Sequence, residues 1–138
     1  MHVDGQCHCG AIAFSAEVDP ATASVCHCTD CQRLSGAPLR ASVQAKAEDF
    51  RLLAGQPKVY VKTADSGAKR AQGFCGECGA PIYACDAANP KIYNLRLGSI
   101  RQRSDIPPRH QMWRSSALPW VYQIGDVPTS PQDAPAPR

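Results

Sequence analysis

The stretch Val25-Cys-His-Cys-Thr-Asp-Cys-Gln-Arg-Leu-Ser-Gly36 sets three cysteines, Cys26, Cys28 and Cys31, within one short turn. Two pairs flank it, Cys7/Cys9 before and Cys75/Cys78 after. Thiols packed this densely in an otherwise ordinary sequence indicate metal. The two pairs suffice to close a four-sulfur site, and the triplet then supplies three sulfurs and leaves one position open. Structural zinc is fully ligated, whereas catalytic zinc keeps an open position. Two zinc ions per chain are therefore expected, a structural one on Cys7, Cys9, Cys75 and Cys78 and a reactive one on Cys26, Cys28 and Cys31.

Disulfides are the competing use of eight cysteines. Three features oppose them. The start, Met1-His-Val-Asp-Gly-Gln-Cys7, has no apolar run of the kind a signal peptide needs. Cysteines one residue apart are poorly spaced for bridging within a pair. Cys75-Gly-Glu-Cys78-Gly79 has metal-ligand spacing. The pattern points to a reducing, cytoplasmic setting. No stretch approaches the roughly 20 apolar residues of a membrane span.

A chain of 138 residues is one ordinary domain, expected over residues 1–127, with a proline-rich, disordered tail over 128–138. Folding at this size buries roughly 68% of the extended chain's surface. Aromatic residues are few, with Phe 3, Trp 2 and Tyr 4, so a metal clamp would support a modest core. The net charge of +3 does not call for nucleic acid. Arg96, Arg101, Arg103, Arg109 and Arg114 cluster in sequence, but the aromatic platforms expected beside a nucleic-acid groove are sparse.

Period-two alternation predicts strands throughout. Ile12, Phe14, Ala16 and Val18 mark one, with Cys7-His8-Cys9 entering it in extended form and Asp19-Pro20 ending it. Ala23 to Cys28 is a second extended piece. Asp30 to Ser35 is expected to form one or two helical turns, stopped by Gly36. Leu39 to Lys46 alternates again, followed by a turn at Glu48-Asp49-Phe50 and a strand at Arg51 to Leu53. Further strands are expected at Lys58 to Thr63, Lys69 to Phe74, Ala80 to Ala84, Lys91 to Leu97 and His110 to Arg114. Strand, Cys-x-x-Cys-Gly and strand together form a zinc-ribbon knuckle. Trp113 and Trp120 are assigned to the core, as is the segment Trp120 to Ile124. The fold class is mostly β with one short helix.

For the four-sulfur site the alternatives are unliganded buried cysteine and iron; zinc is the commoner occupant of tetrahedral sulfur sites. For the triplet the alternative is a second closed site completed by His27, Cys85 or His110. In an extended chain His27 points away from its neighbours, and Cys85 follows a distant strand, so the open site is preferred. A thiol bound there is held as a nucleophilic thiolate near neutral pH.

The chain resembles the glutathione-dependent formaldehyde-activating enzyme family, which shares its domain with centromere protein V. The matching pieces are Gly5-Gln-Cys7-His-Cys9-Gly10, Cys26-His-Cys28-Thr-Asp-Cys31-Gln-Arg-Leu-Ser-Gly36-Ala37 and Phe74-Cys75-Gly-Glu-Cys78-Gly79. Leu97-Gly98-Ser99-Ile100, Pro107-Pro108-Arg-His110 and Leu118-Pro119-Trp120 follow in order. The resemblance implies a β-tent-like fold of small antiparallel sheets and the same division of the cysteines. It implies a carbon–sulfur lyase that adds glutathione to formaldehyde, giving S-(hydroxymethyl)glutathione, with a small-molecule thiol and aldehyde as partners. His110 is the titratable candidate for proton donor to the alkoxide. Arg33, Arg40 and Arg114 are candidates for the glutathione carboxylates. In one departure, Arg101 follows Ile100 where many members have an acid. The rival function is a non-catalytic thiol-binding or protein-interaction module on the same scaffold, with nucleic-acid binding ranked last.

Overall fold

The computed structural model describes residues 1–131. Eight strands form one sheet: β1 His2–Gln6, β2 Ala13–Cys26, β3 Arg40–Ala54, β4 Lys58–Thr63, β5 Lys69–Phe74, β6 Pro81–Asp86, β7 Ile92–Arg96 and β8 His110–Met112. Their order is β1-β2-β3-β7-β6-β5-β4, with β8 attached to β2. Every pairing is antiparallel except β2 with β8. The fold is mostly β, as expected. The expected small sheets are hydrogen-bonded into a single one. The single α-helix among the described residues is α1, Thr29–Ser35.

Two predicted strand breaks are absent. β2 runs through Asp19-Pro20 because the proline lies where the β2–β3 register shifts, between Asp19 and Ser24. A missing N–H is tolerated at such an irregularity. The Thr22 hydroxyl bridges it, donating to the Asp19 carbonyl at 2.6 Å and accepting from the Gln44 N–H at 2.9 Å. Likewise β3 continues through Glu48-Asp49-Phe50. The turn-like residues lie between Ala45, opposite Val18, and Phe50, opposite Ala16, again at a register shift.

Phe50 belongs to an aromatic cluster that ties the halves of the sheet together. Its ring lies 5.7 Å from Phe14, 5.8 Å from Tyr83 and 4.6 Å from Tyr93. Room for Tyr83 comes from Gly73 on the neighbouring strand, where an added Cβ would lie 2.4 Å from the ring. The two tryptophans are not in this core. Trp113 and Trp120 are 55% and 50% exposed. The segment from Trp120 to Ile124, expected to add to the core, does so only through Val121. It enters a 3-10 turn, Val121–Asp126, that buries Val121 and leaves Tyr122 and Ile124 out. A 3-10 turn spreads successive side chains around its axis, so one apolar residue points in while its neighbours point out. The predicted tail falls largely on 132–138, outside the described residues.

Hairpins β1–β2 and β5–β6 lie on opposite sides of β3 and β7 in the strand order, yet their turns meet. A twisted sheet reaches that arrangement only by curling on itself. Helix α1 is pinned beside β4 by Asp30 and Lys62, 2.8 Å apart, and ends at Gly36 with φ 65°.

Candidate metal centres

The first sulfur cluster sits where those two turns meet. Cys7 and Cys9 lie in the turn between β1 and β2, closed by the Gly10 N–H on the Cys7 carbonyl at 3.2 Å. This corrects the extended entry expected for Cys7-His8-Cys9. A turn wraps both sulfurs to one side, which a flat strand of this length does less well. The Cys75 turn between β5 and β6 has the expected knuckle form, with the Gly79 N–H on the Cys75 carbonyl at 2.8 Å. The Cys7 and Cys9 sulfurs are 3.6 Å apart, those of Cys9 and Cys75 are 3.8 Å apart, and all four lie within 4.8 Å of one another. A tetrahedron with metal–sulfur bonds of about 2.3 Å has edges of about 3.8 Å, whereas a disulfide is about 2.05 Å long. The spacing fits four ligands around one ion and no disulfide.

Backbone amides already favour negative sulfur in this cluster. The Ile12 N–H lies 3.2 Å from Cys7 Sγ and the Glu77 N–H 3.4 Å from Cys75 Sγ. Backbone hydrogen bonds from Cys9 and Ala80 lower the Cys78 thiol to about 6. Cys9 has a backbone hydrogen bond from Ala11, yet the Cys7 thiol, burial and its other sulfur neighbours push it up to about 11. Four thiols this close cannot all ionise without a cation to hold them.

The second cluster is assembled from consecutive elements. Cys26 ends β2, Cys28 caps α1 and Cys31 sits in its first turn. The three sulfurs lie within 4.8 Å of one another, and no fourth ligand side chain joins them among the described residues. Cys28 Sγ accepts from the Cys31 N–H at 3.2 Å. Burial works against the Cys28 thiolate, but that amide and the neighbouring thiols outweigh it and lower its pKa. Burial first, and then its sulfur neighbours, push Cys26 up to about 12.

The three proposed fourth ligands lie elsewhere. His27 is 1% exposed and points away from the sulfurs, with Nε2 2.9 Å from Gln111 Oε1 and 3.3 Å from the Tyr122 hydroxyl. Cys85 packs in the apolar core. His110 is exposed on β8, opposite Ser24 in the parallel ladder. Cross-strand partners share a face, so His110 lies on the Cys26 face, about 7 Å along the strand.

The arginines separate by environment. Arg33 is exposed at the end of α1, and Arg114 stacks 4.6 Å over Tyr122. Arg101 makes a two-pronged pair with Asp4, at 2.7 and 2.5 Å, on the wall of a 760 Å³ cleft. Arg96 is buried, and with Arg40 it donates to Gln72. The sequence gives no sign of this burial: Asn94 and Arg96 alternate with Tyr93 and Leu95, a pattern that normally marks a solvent face.

The family model for the glutathione-dependent formaldehyde-activating enzyme matches residues 2–116. The chain belongs to this family. Both sulfur clusters and all but the final 3-10 turn fall inside the match. Among solved structures, the chain is similar to a Rhodobacter sphaeroides protein at 22% identity and a TM-score of 0.61, covering 79% of this chain and 99% of that one. That likeness supports the fold. No curated protein matches the chain. No helix among the described residues is long and apolar enough to cross a membrane.

Proposed function

We propose that this family member is a carbon–sulfur lyase that joins glutathione, or a similar thiol, to formaldehyde or another small aldehyde. The observation that carries the proposal is the inequality of the two clusters, four sulfurs in one and three in the other. Cys7, Cys9, Cys75 and Cys78 would hold a zinc ion that ties the two hairpins together. Cys26, Cys28 and Cys31 would hold a second zinc, which supplies a Lewis acid and a free position for a thiolate.

The chain's own part in the chemistry is positioning and proton transfer. The thiol loses its proton, its sulfur forms a bond to the aldehyde carbon, and the C=O π electrons move to oxygen. His110, on the Cys26 face and open to solvent, delivers the proton that turns the alkoxide into a hydroxyl. The His27–Gln111–Tyr122 hydrogen bonds tie β8 to the residue between Cys26 and Cys28, which holds His110 in register with the sulfurs. Eight cysteines without a disulfide suit a reducing, cytoplasmic compartment.

The test is the rate of S-(hydroxymethyl)glutathione formation by NMR exchange spectroscopy. The zinc-loaded protein should accelerate exchange, and Cys28→Ser should abolish the acceleration. Saturable glutathione binding with no acceleration by the intact protein would instead make it a thiol-binding module.

A further inference from the structure

The face that carries Cys26 continues across the sheet to a pair of arginines with no carboxylate partner among the described residues. Cys26 is paired with Arg40 on β3, and two residues further on Ser42 is paired with Arg96 on β7. Cross-strand partners and alternate residues share a face, so Cys26, Arg40, Ser42 and Arg96 all point the same way. Arg96 is only 8% exposed. Its Nη1 donates to the Ser42 hydroxyl at 2.7 Å and its Nη2 to Gln72 Oε1 at 3.1 Å. Arg40 Nη1 reaches the same Gln72 oxygen at 3.3 Å. The Nε atoms of both arginines are buried without any partner. Neither guanidinium forms an ion pair among the described residues.

This arrangement is costly for the fold. Two cations share one neutral amide oxygen, and a buried charge is normally paired. Burial and the nearby Arg40 charge pull the Arg96 pKa down to about 9. Both arginines also line two clefts, of 760 and 390 Å³, so a ligand bound in either cleft lies against their side chains. The Cys31 and Cys26 sulfurs act the other way on Arg96, but no carboxylate among the described residues pairs with either arginine, and a ligand in the cleft that brings one would complete the pair.

We infer that Arg96 and Arg40, steadied by Gln72 and Ser42, form the seat for a carboxylate of a small molecule bound in these clefts. Their fork-shaped donors match the two oxygens of a carboxylate. The Cα atoms of Cys26 and Arg96 are two strands and two residues apart, about 12 Å by standard strand spacings. A tripeptide-sized molecule with a thiol at one point and a carboxylate at another spans that gap. The identity of the molecule as the thiol substrate rests on the function proposed above; the carboxylate seat rests on the arginines alone.

The two claims separate in one titration. In zinc-loaded protein, the Arg96 Nε–H resonance is followed by 15N NMR as succinate or S-methylglutathione is added. S-methylglutathione keeps both glutathione carboxylates but has no free thiol. The resonance should move and saturate with both probes. Arg96→Met and Arg40→Met should weaken S-methylglutathione binding at least tenfold by calorimetry, and the diethyl ester of the probe should bind correspondingly poorly to the unaltered protein. Arg96→Met should also fold with a Tm equal to or above that of the parent, since it removes an unpaired buried charge. If that variant does not fold, Arg96→Lys, which keeps the charge and loses the fork, carries the binding test on the same criterion. A stationary resonance with both carboxylates, unchanged affinity in a folded variant, or saturation by inorganic phosphate alone overturns the seat. Succinate binding without S-methylglutathione binding leaves the seat standing and removes glutathione as its occupant.

Discussion

Cys28 does two jobs at once, capping α1 through the Cys31 N–H and contributing to the three-sulfur cluster. Its replacement therefore tests both. Cys28→Ser keeps a capping oxygen, so the helix should survive while the zinc content falls from two ions per chain to one and catalytic acceleration is lost. His110→Gln should lower kcat about 10²-fold with zinc content and thermal stability unchanged, because an exposed proton donor contributes to the reaction and not to packing. Gly73→Ala should destabilise the protein by about 1–3 kcal/mol in a denaturant titration, since the added methyl meets the Tyr83 ring in a filled core. At this scale the sequence was most informative about sulfur. Ligand spacing is a local property, and the sulfurs of each set lie within 4.8 Å of one another. Arg96 was opaque, because nothing in Ile92–Arg96 tells which element covers its polar face. Trp113 and Trp120 lie outside the expected core for the converse reason: a large apolar side chain follows no rule that it must be inside.

Strands β2 and β3 are long, irregular ribbons, and their irregularities serve the site. The register shift around Pro20 lets one strand begin in the core at Phe14 and end at the triplet with Cys26. Proline and acidic pairs usually end strands, but here Asp19-Pro20 and Glu48-Asp49 lie at irregularities inside a ladder anchored on both sides. The knuckle at Cys75 was legible because Cys-x-x-Cys-Gly encodes its own turn, whereas the turn at Cys7 was not, since Cys-x-Cys suits an extended chain as well. The hairpins joined at the four-sulfur cluster should separate when its sulfurs are removed. Cys9→Ser/Cys78→Ser should leave the protein with disordered β1–β2 and β5–β6 turns, seen as loss of amide protection there in hydrogen exchange, while Cys28→Ser should leave that protection intact.

Across the whole molecule, a curled sheet with a small aromatic core depends on one point of closure between its ends. Structural zinc in small sites supplies apparent binding energies of about 10–16 kcal/mol, comparable with the whole stability of an ordinary domain at about 5–15 kcal/mol. Chelation should therefore proceed in two stages. The three-sulfur site should empty first with activity lost and the near-UV circular dichroism retained; the four-sulfur site should empty later, together with the tertiary signal. Loss of fold together with the first ion would reverse these assignments.

The division of the seven sulfurs is measured most directly by zinc K-edge X-ray absorption on protein carrying two ions per chain. One ion should have four sulfurs at about 2.3 Å, and the other three sulfurs with one lighter atom that sulfur replaces when glutathione is added. Four protein sulfurs around both ions without glutathione would contradict this account, as would cysteines found at the roughly 2.05 Å separation of disulfides in place of bound zinc.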